Sequence, residues 1–160
     1  PVAMTATASD APAPAPSDAP ARPKPLVGWR LLALVYDFFP VLALWFVVGL
    51  IAVALHGGET IRADTLAGWL ELLALWAITG LYAVLSWRNG GQTLGMRPWR
   101  LRVTAADGTA PAWRALWLRF AVATASLLLG GLGFWWAWRD RDRLTWHDRA
   151  SGTRMVRVAK

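Results

Sequence analysis

Residues 30–55 read RLLALVYDFFPVLALWFVVGLIAVAL, and the reading of this stretch decides the fold. Its only ionisable carboxyl is Asp37 and its only base is Arg30, at the very start. As an α-helix, the 25 residues from Leu31 to Leu55 reach about 37 Å, against about 30 Å for a bilayer core, so a tilted or kinked membrane span is expected. Pro40 cannot donate to the carbonyl four residues back, which belongs to Tyr36, next to Asp37. An ionisable group at membrane depth costs about 3 kcal/mol on insertion scales and by default marks a functional site. Arg30 and Asp37 share a helix face, but about 10 Å of rise separates their backbones, so a direct pair between them is not expected.

The rest of the chain agrees with a membrane setting. It has 160 residues, enough for one domain, and 56% are hydrophobic, gathered in long runs. Cysteine is absent, so there is no disulfide framework. A net charge of +7 would suggest nucleic acid in a soluble protein; beside apolar spans it reads instead as cytoplasmic loops, with the lipid bilayer as partner and no nucleic acid. Most of the 12 tryptophans flank apolar runs beside arginines, where indole rings favour the headgroup layer; Trp45 and Trp76 fall in mid-run and read as packing residues. Residues 1–25 are rich in Ala and Pro and read as a disordered arm ahead of a membrane domain over 26–160.

A second span is expected over about 66–87, after a loop (56–64) poor in basic residues. Glu71 lies near its outer end and has two readings, a snorkelling interfacial group or a polar group inside the bundle. Gly68 and Gly80 are small positions where a neighbouring helix can approach. Asn89-Gly90-Gly91 ends the helix. Polar and apolar residues alternate from Arg100 to Thr104, which predicts a short strand turning at Asp107-Gly108, and 153–158 is a second strand candidate. The third apolar region, 113–138, has six arginines from Arg88 to Arg119 before or within its start, and seven basic residues from Arg139 to Lys160 after it. One crossing would put a basic cluster outside. A re-entrant or short helical hairpin turning at Gly130, Gly131 and Gly133 is therefore preferred to a third span, ahead of a basic tail over 139–160. The fold class is thus an all-α membrane protein with two transmembrane helices, an apolar hairpin and a small cytosolic β element.

Three segments carry a family resemblance: GWRLLALVYD at the first span, GGQTLGMRPWRLRVTAADG after the second, and LTWHDRASGTRMVRV at the end. Together they resemble the RDD family of small bacterial membrane proteins, named for one arginine and two aspartates. By position the signature residues are Arg30, Asp37 and Asp148. The chain departs from the pattern at Trp99-Arg100, where family members often have a glycine before the strand. The charge distribution predicts both termini on the cytoplasmic side, and the resemblance implies a multi-pass protein of the bacterial inner membrane, with transport as a proposed role.

Two functions follow as expectations. In the first, Asp37 alternates between a proton and a monovalent cation in a transport component, with the Tyr36 carbonyl and hydroxyls such as Thr79 or Ser126 as further ligands; the small size then calls for a homo-oligomer. In the second, the protein is a non-transporting accessory or scaffold that binds another membrane component, with Asp37 bonded inside the bundle and Arg30 paired with Asp148. Tyr36, Glu71 and Arg119 are auxiliary polar residues on either reading. No catalytic, metal-binding or cofactor-binding motif is present, and His147-Asp148, adjacent on a helix, point apart, so an acid–base pair and an enzyme are not expected.

Overall fold

The computed structural model describes residues 24–158, so the arm called over 1–25 lies almost wholly outside the described residues. Helices α1 (Val27–Leu55) and α2 (Leu66–Gly90) are followed by strand β1 (Leu101–Ala105), helix α3 (Trp113–Leu128), a four-residue helix α4 (Leu132–Trp135) that runs into a 3-10 turn (Trp136–Trp138), helix α5 (Trp146–Ser151) and strand β2 (Thr153–Arg157).

Both long helices have the length and composition to cross a membrane. No part of the most apolar stretch of α1 is buried inside the chain. Phe39, Phe46 and Leu55 are 67%, 73% and 80% exposed, an outward apolar face that water would penalise and acyl chains would not. α1 begins four residues ahead of the expected Leu31, and this puts Arg30 within the first turn of the helix, where it is buried. Helix α2 starts on Thr65, whose hydroxyl accepts from Gly68 N at 3.2 Å, and stops at Gly91 in the left-handed region (φ 69).

The third apolar region is not a straight helix. It bends by 106° between α3 and the segment Leu132–Trp138, and the corner is made by Gly130 (φ 70) and Gly131 (φ 78), a left-handed pair that side chains disfavour. α3 runs back along α2, with Trp76 Nε1 donating to Thr124 Oγ1 at 3.3 Å and Arg88 reaching Pro111 O at 3.5 Å. Gly80 is where the two helices close up: a Cβ there would lie 2.7 Å from both the Phe120 and Trp117 rings. Gly68 behaves differently from the expectation, because what presses on it is its own preceding loop, at Ala63, and not a neighbouring helix.

The two strands pair antiparallel, Leu101 opposite Arg157 and Ala105 opposite Thr153. Leu101 and Val103 are buried and Arg102 is exposed, as the alternation predicts. Arg100 just ahead of the strand has φ 55, the left-handed conformation that favours glycine, so the backbone keeps its turn although the side chain is an arginine. Trp99 beside it packs on Trp29 (5.1 Å between centroids) and Tyr36 (5.6 Å). The buried core, Ala33, Ala83, Val84, Met96, Leu101, Val103, Leu116 and Phe120, collects where the start of α1, the end of α2, β1 and α3 meet. The main buried core of the molecule thus lies at one end of the helices, beside the sheet.

Candidate functional site

Two carboxylates organise that end, Asp148 in α5 and Asp37 in α1. Helix α5 is only six residues long and is held by a capping box: Asp148 N donates to Thr145 Oγ1 (3.3 Å) and Thr145 N donates to Asp148 Oδ2 (3.2 Å). The same carboxylate then meets two guanidiniums. Arg30 Nη2, from the start of α1, lies 2.7 Å from Asp148 Oδ2, and Arg119 Nη1, from the middle of α3, donates to Asp148 Oδ1. Arg119 Nη1 also donates to Thr153 Oγ1 at 2.7 Å, and Arg30 Nη1 to Thr145 Oγ1 at 3.1 Å. The first residue of β2 and the cap of α5 therefore join the same knot. Arg30, Arg119 and Asp148 are 3%, 1% and 0% exposed. A buried ion set of this kind is strongly destabilised by loss of one partner, because the remaining charge is left without a counter-charge or solvent.

Burial by itself would raise the Asp148 carboxyl, but Arg119 and Arg30 outweigh it and hold the group well below the usual carboxylate range. His147, beside it, is pushed the other way from a normal histidine: burial, then the Arg119 charge, keep its imidazole neutral. Upstream, the buried Asp140 orders the approach to α5, accepting from Asp142 N (3.2 Å) and Leu144 N (3.0 Å) while Arg149 Nη2 sits 2.7 Å from its other oxygen.

Asp37 is met by neutral donors. Tyr82 Oη from α2 donates to Oδ1 at 2.7 Å, Gly95 N donates to Oδ1 at 2.8 Å, and Thr93 Oγ1 donates to Oδ2. Tyr82 Oη in turn accepts from Leu94 N at 3.1 Å. The run Gln92-Thr93-Leu94-Gly95 thereby acquires a physical account. Gln92 Nε2 donates to Leu101 O at 2.7 Å and fixes the strand, Thr93 and Leu94 bind the Asp37–Tyr82 pair, and Gly95 is pressed so closely to α1 that a Cβ would stand 2.7 Å from Asp37 N.

Between the two junctions lies a cavity of about 400 Å³, walled by α1, α2 and α3 and reached by Arg30, Asp37, Tyr82, Thr93, Arg119 and His147. Of the residues expected to matter, the structure brings Arg30, Arg119 and Asp148 into one cluster and places Asp37 at a second, with no bond between Arg30 and Asp37. Tyr36 is not at either; its side chain is 48% exposed and edges onto Trp99. Glu71 lies beside Gly49, outside both junctions and the cavity. Thr79 does face the cavity, but its hydroxyl donates to Leu75 O and accepts from Trp45 Nε1, while Ser126 receives Gly133 N elsewhere. Tyr82, Thr93, Gly95, Thr145 and Thr153 were not anticipated. The signal for them is general: a buried carboxylate needs donors, and the polar Gln-Thr run after α2 is the nearest supply in the chain.

An end-capped pair of span-length helices, pinned through two arginines and two aspartates, defines a membrane-type helical protein. The chain belongs to the RDD family, whose model matches residues 24–152. No curated protein and no solved structure matches the chain.

Proposed function

We propose that this protein is a non-transporting accessory or scaffold protein of the bacterial inner membrane, in which the signature residues are structural clamps and the outward apolar faces bind lipid and another membrane component. The observation that carries this reading is the saturation of both aspartates by donors from distant segments. Asp148 joins α1, α3, α5 and β2; Asp37 joins α1, α2 and the loop before β1. Such buried networks specify one arrangement of the elements that share them. The termini are cytoplasmic on this reading, the basic residues around the sheet facing the anionic inner leaflet, and the protein carries no catalytic role.

A second reading, cation/proton exchange through Asp37 in a homo-oligomer, has one observation in its favour: Asp37 borders the cavity together with the hydroxyl-bearing Thr79 and Tyr82. Proteoliposomes separate the two. The clamp reading expects cation-dependent proton flux at the level of protein-free vesicles for wild type and Asp37→Asn alike. Flux in the wild type that disappears in a folded Asp37→Asn protein overturns it.

A further inference from the structure

Helix α2 packs against both α1 and α3, while α1 and α3 have almost no close contact with each other. The cavity of about 400 Å³ occupies the gap that this leaves. It follows α1 from Arg30 to Val41, about 16 Å of helix, and α3 from Arg119 to Leu127. Its two ends differ. Near α5 it is lined by Arg30, Arg119, Phe134 and His147, each no more than 5% exposed. Away from α5 it is lined by Leu34, Phe38 and Leu127, which are 38%, 54% and 48% exposed. The cavity is thus a groove, closed under α5 and open among outward apolar side chains.

The polar side chains along the groove are already engaged with the protein. Asp37 receives Tyr82, Thr93 and the Gly95 amide, and Arg30 and Arg119 hold Asp148. Thr79 and Thr124 each donate to a carbonyl of their own helix and accept from a tryptophan, Trp45 and Trp76 respectively. The nitrogens without a partner at Arg30, Trp87, Arg119 and His147 are sealed from solvent and offer nothing to an occupant. Formal charge cancels as well, two guanidiniums against the carboxylates of Asp37 and Asp148. An ion therefore finds no free counter-charge, and water, which needs about two to four polar partners, finds few. What remains as wall is hydrocarbon, from Ala33, Leu34, Phe38, Phe120, Ala123 and Leu127. An empty space of this size would forfeit packing contacts all along that wall.

We propose that this groove holds one acyl chain of a membrane phospholipid, which enters from the bilayer between α1 and α3. Leu34 and Phe38 belong both to the groove and to the exposed apolar face of α1. A chain lying on that face passes into the groove without crossing a polar barrier. The volume falls within the range of small-molecule sites. Recognition is by shape and apolar contact, so the head group makes no difference. This goes beyond the clamp reading and rests only on the membrane setting of the two long helices; an unfilled groove would leave both clamps as they are.

The test is photolabelling of the purified full chain in phosphatidylcholine vesicles, with labelled residues mapped by mass spectrometry. The probes are a phosphatidylcholine and a phosphatidylglycerol, each carrying a diazirine in mid-chain. Ala83 and Phe120 line the groove and are each 8% exposed, whereas Phe46 and Leu50 lie on the outer face at 73% and 61%. Both probes are expected to label Ala83 and Phe120 at least as heavily as Phe46 and Leu50. Ala123→Phe, which fills the groove, should reduce the Ala83 and Phe120 labels several-fold and leave the outer-face labels unchanged. Val41→Phe, which narrows the open end, should do the same and carries the comparison if Ala123→Phe does not fold. Weaker labelling of Ala83 and Phe120 than of Phe46 and Leu50 in the wild type overturns the proposal. So does undiminished groove labelling in a folded variant, or groove labelling by phosphatidylglycerol alone, which would make the head group the recognised part.

Discussion

The two aspartates that anchor α1 and α5 are treated in opposite ways. Asp148 is fully buried and neutralised by charge, through Arg30 and Arg119. Asp37 is partly buried and stabilised by dipoles alone, from Tyr82, Thr93 and the Gly95 amide. The difference follows from what each must join. Asp148 gathers elements far apart in the chain, and long guanidinium arms can reach across them with several donors each. Asp37 sits one helix face away from a loop that lies flat against α1, where short hydroxyls and a backbone N–H suffice.

That contrast predicts a ranking of substitutions. Asp148→Ala leaves two buried guanidiniums facing each other and should cost the most, about 3–5 kcal/mol, read as lost folded yield or a lowered unfolding midpoint in detergent. A cost below that of any Asp37-side variant would reverse the comparison. Gly95→Ala should come next, on the order of 1–3 kcal/mol, because the added methyl forces the loop off the α1 backbone. Tyr82→Phe removes a single neutral donor and strands Leu94 N, for about 1–2 kcal/mol by the same measurement.

Acid should sharpen the comparison further. Asp148 and His147 both have folded-state proton affinities below their unfolded ones, so the unfolded chain binds more protons and stability falls as pH falls. The His147 contribution is present above the ordinary histidine value of 6.5 and is lost as pH drops below it; the Asp148 contribution is lost lower, below the ordinary carboxylate value of 3.8. His147→Gln should therefore flatten the unfolding midpoint between pH 7 and 5, the smallest of the expected effects. An unchanged slope would show that the imidazole is not held neutral.

Much of this architecture was legible beforehand. The two span-length apolar helices, the strand alternation read from Arg100 to Thr104 and found one residue on at Leu101–Ala105, the glycine corner and the pairing preference of Arg30 for Asp148 all follow from local pattern or chain-wide charge balance. Other parts were not. The helical proline directed attention to the Tyr36 carbonyl as the companion of Asp37, whereas the partners come from α2 and the loop beyond it, 45 to 58 residues away. Gly68 looked like a helix-contact position and is instead a loop-contact one.

The sequence by itself determined the apolar helices, the glycine stop of α2 and the family signature, because hydrophobic period, turn residues and charge bias act over a few residues at a time. Only the tertiary structure decided which donors meet which aspartate and how closely the loop at Gly95 presses on α1. Those are matters of a few ångströms between segments that nothing local brings together, and the packing of α3 and the sheet onto the ends of α1 and α2 settles them.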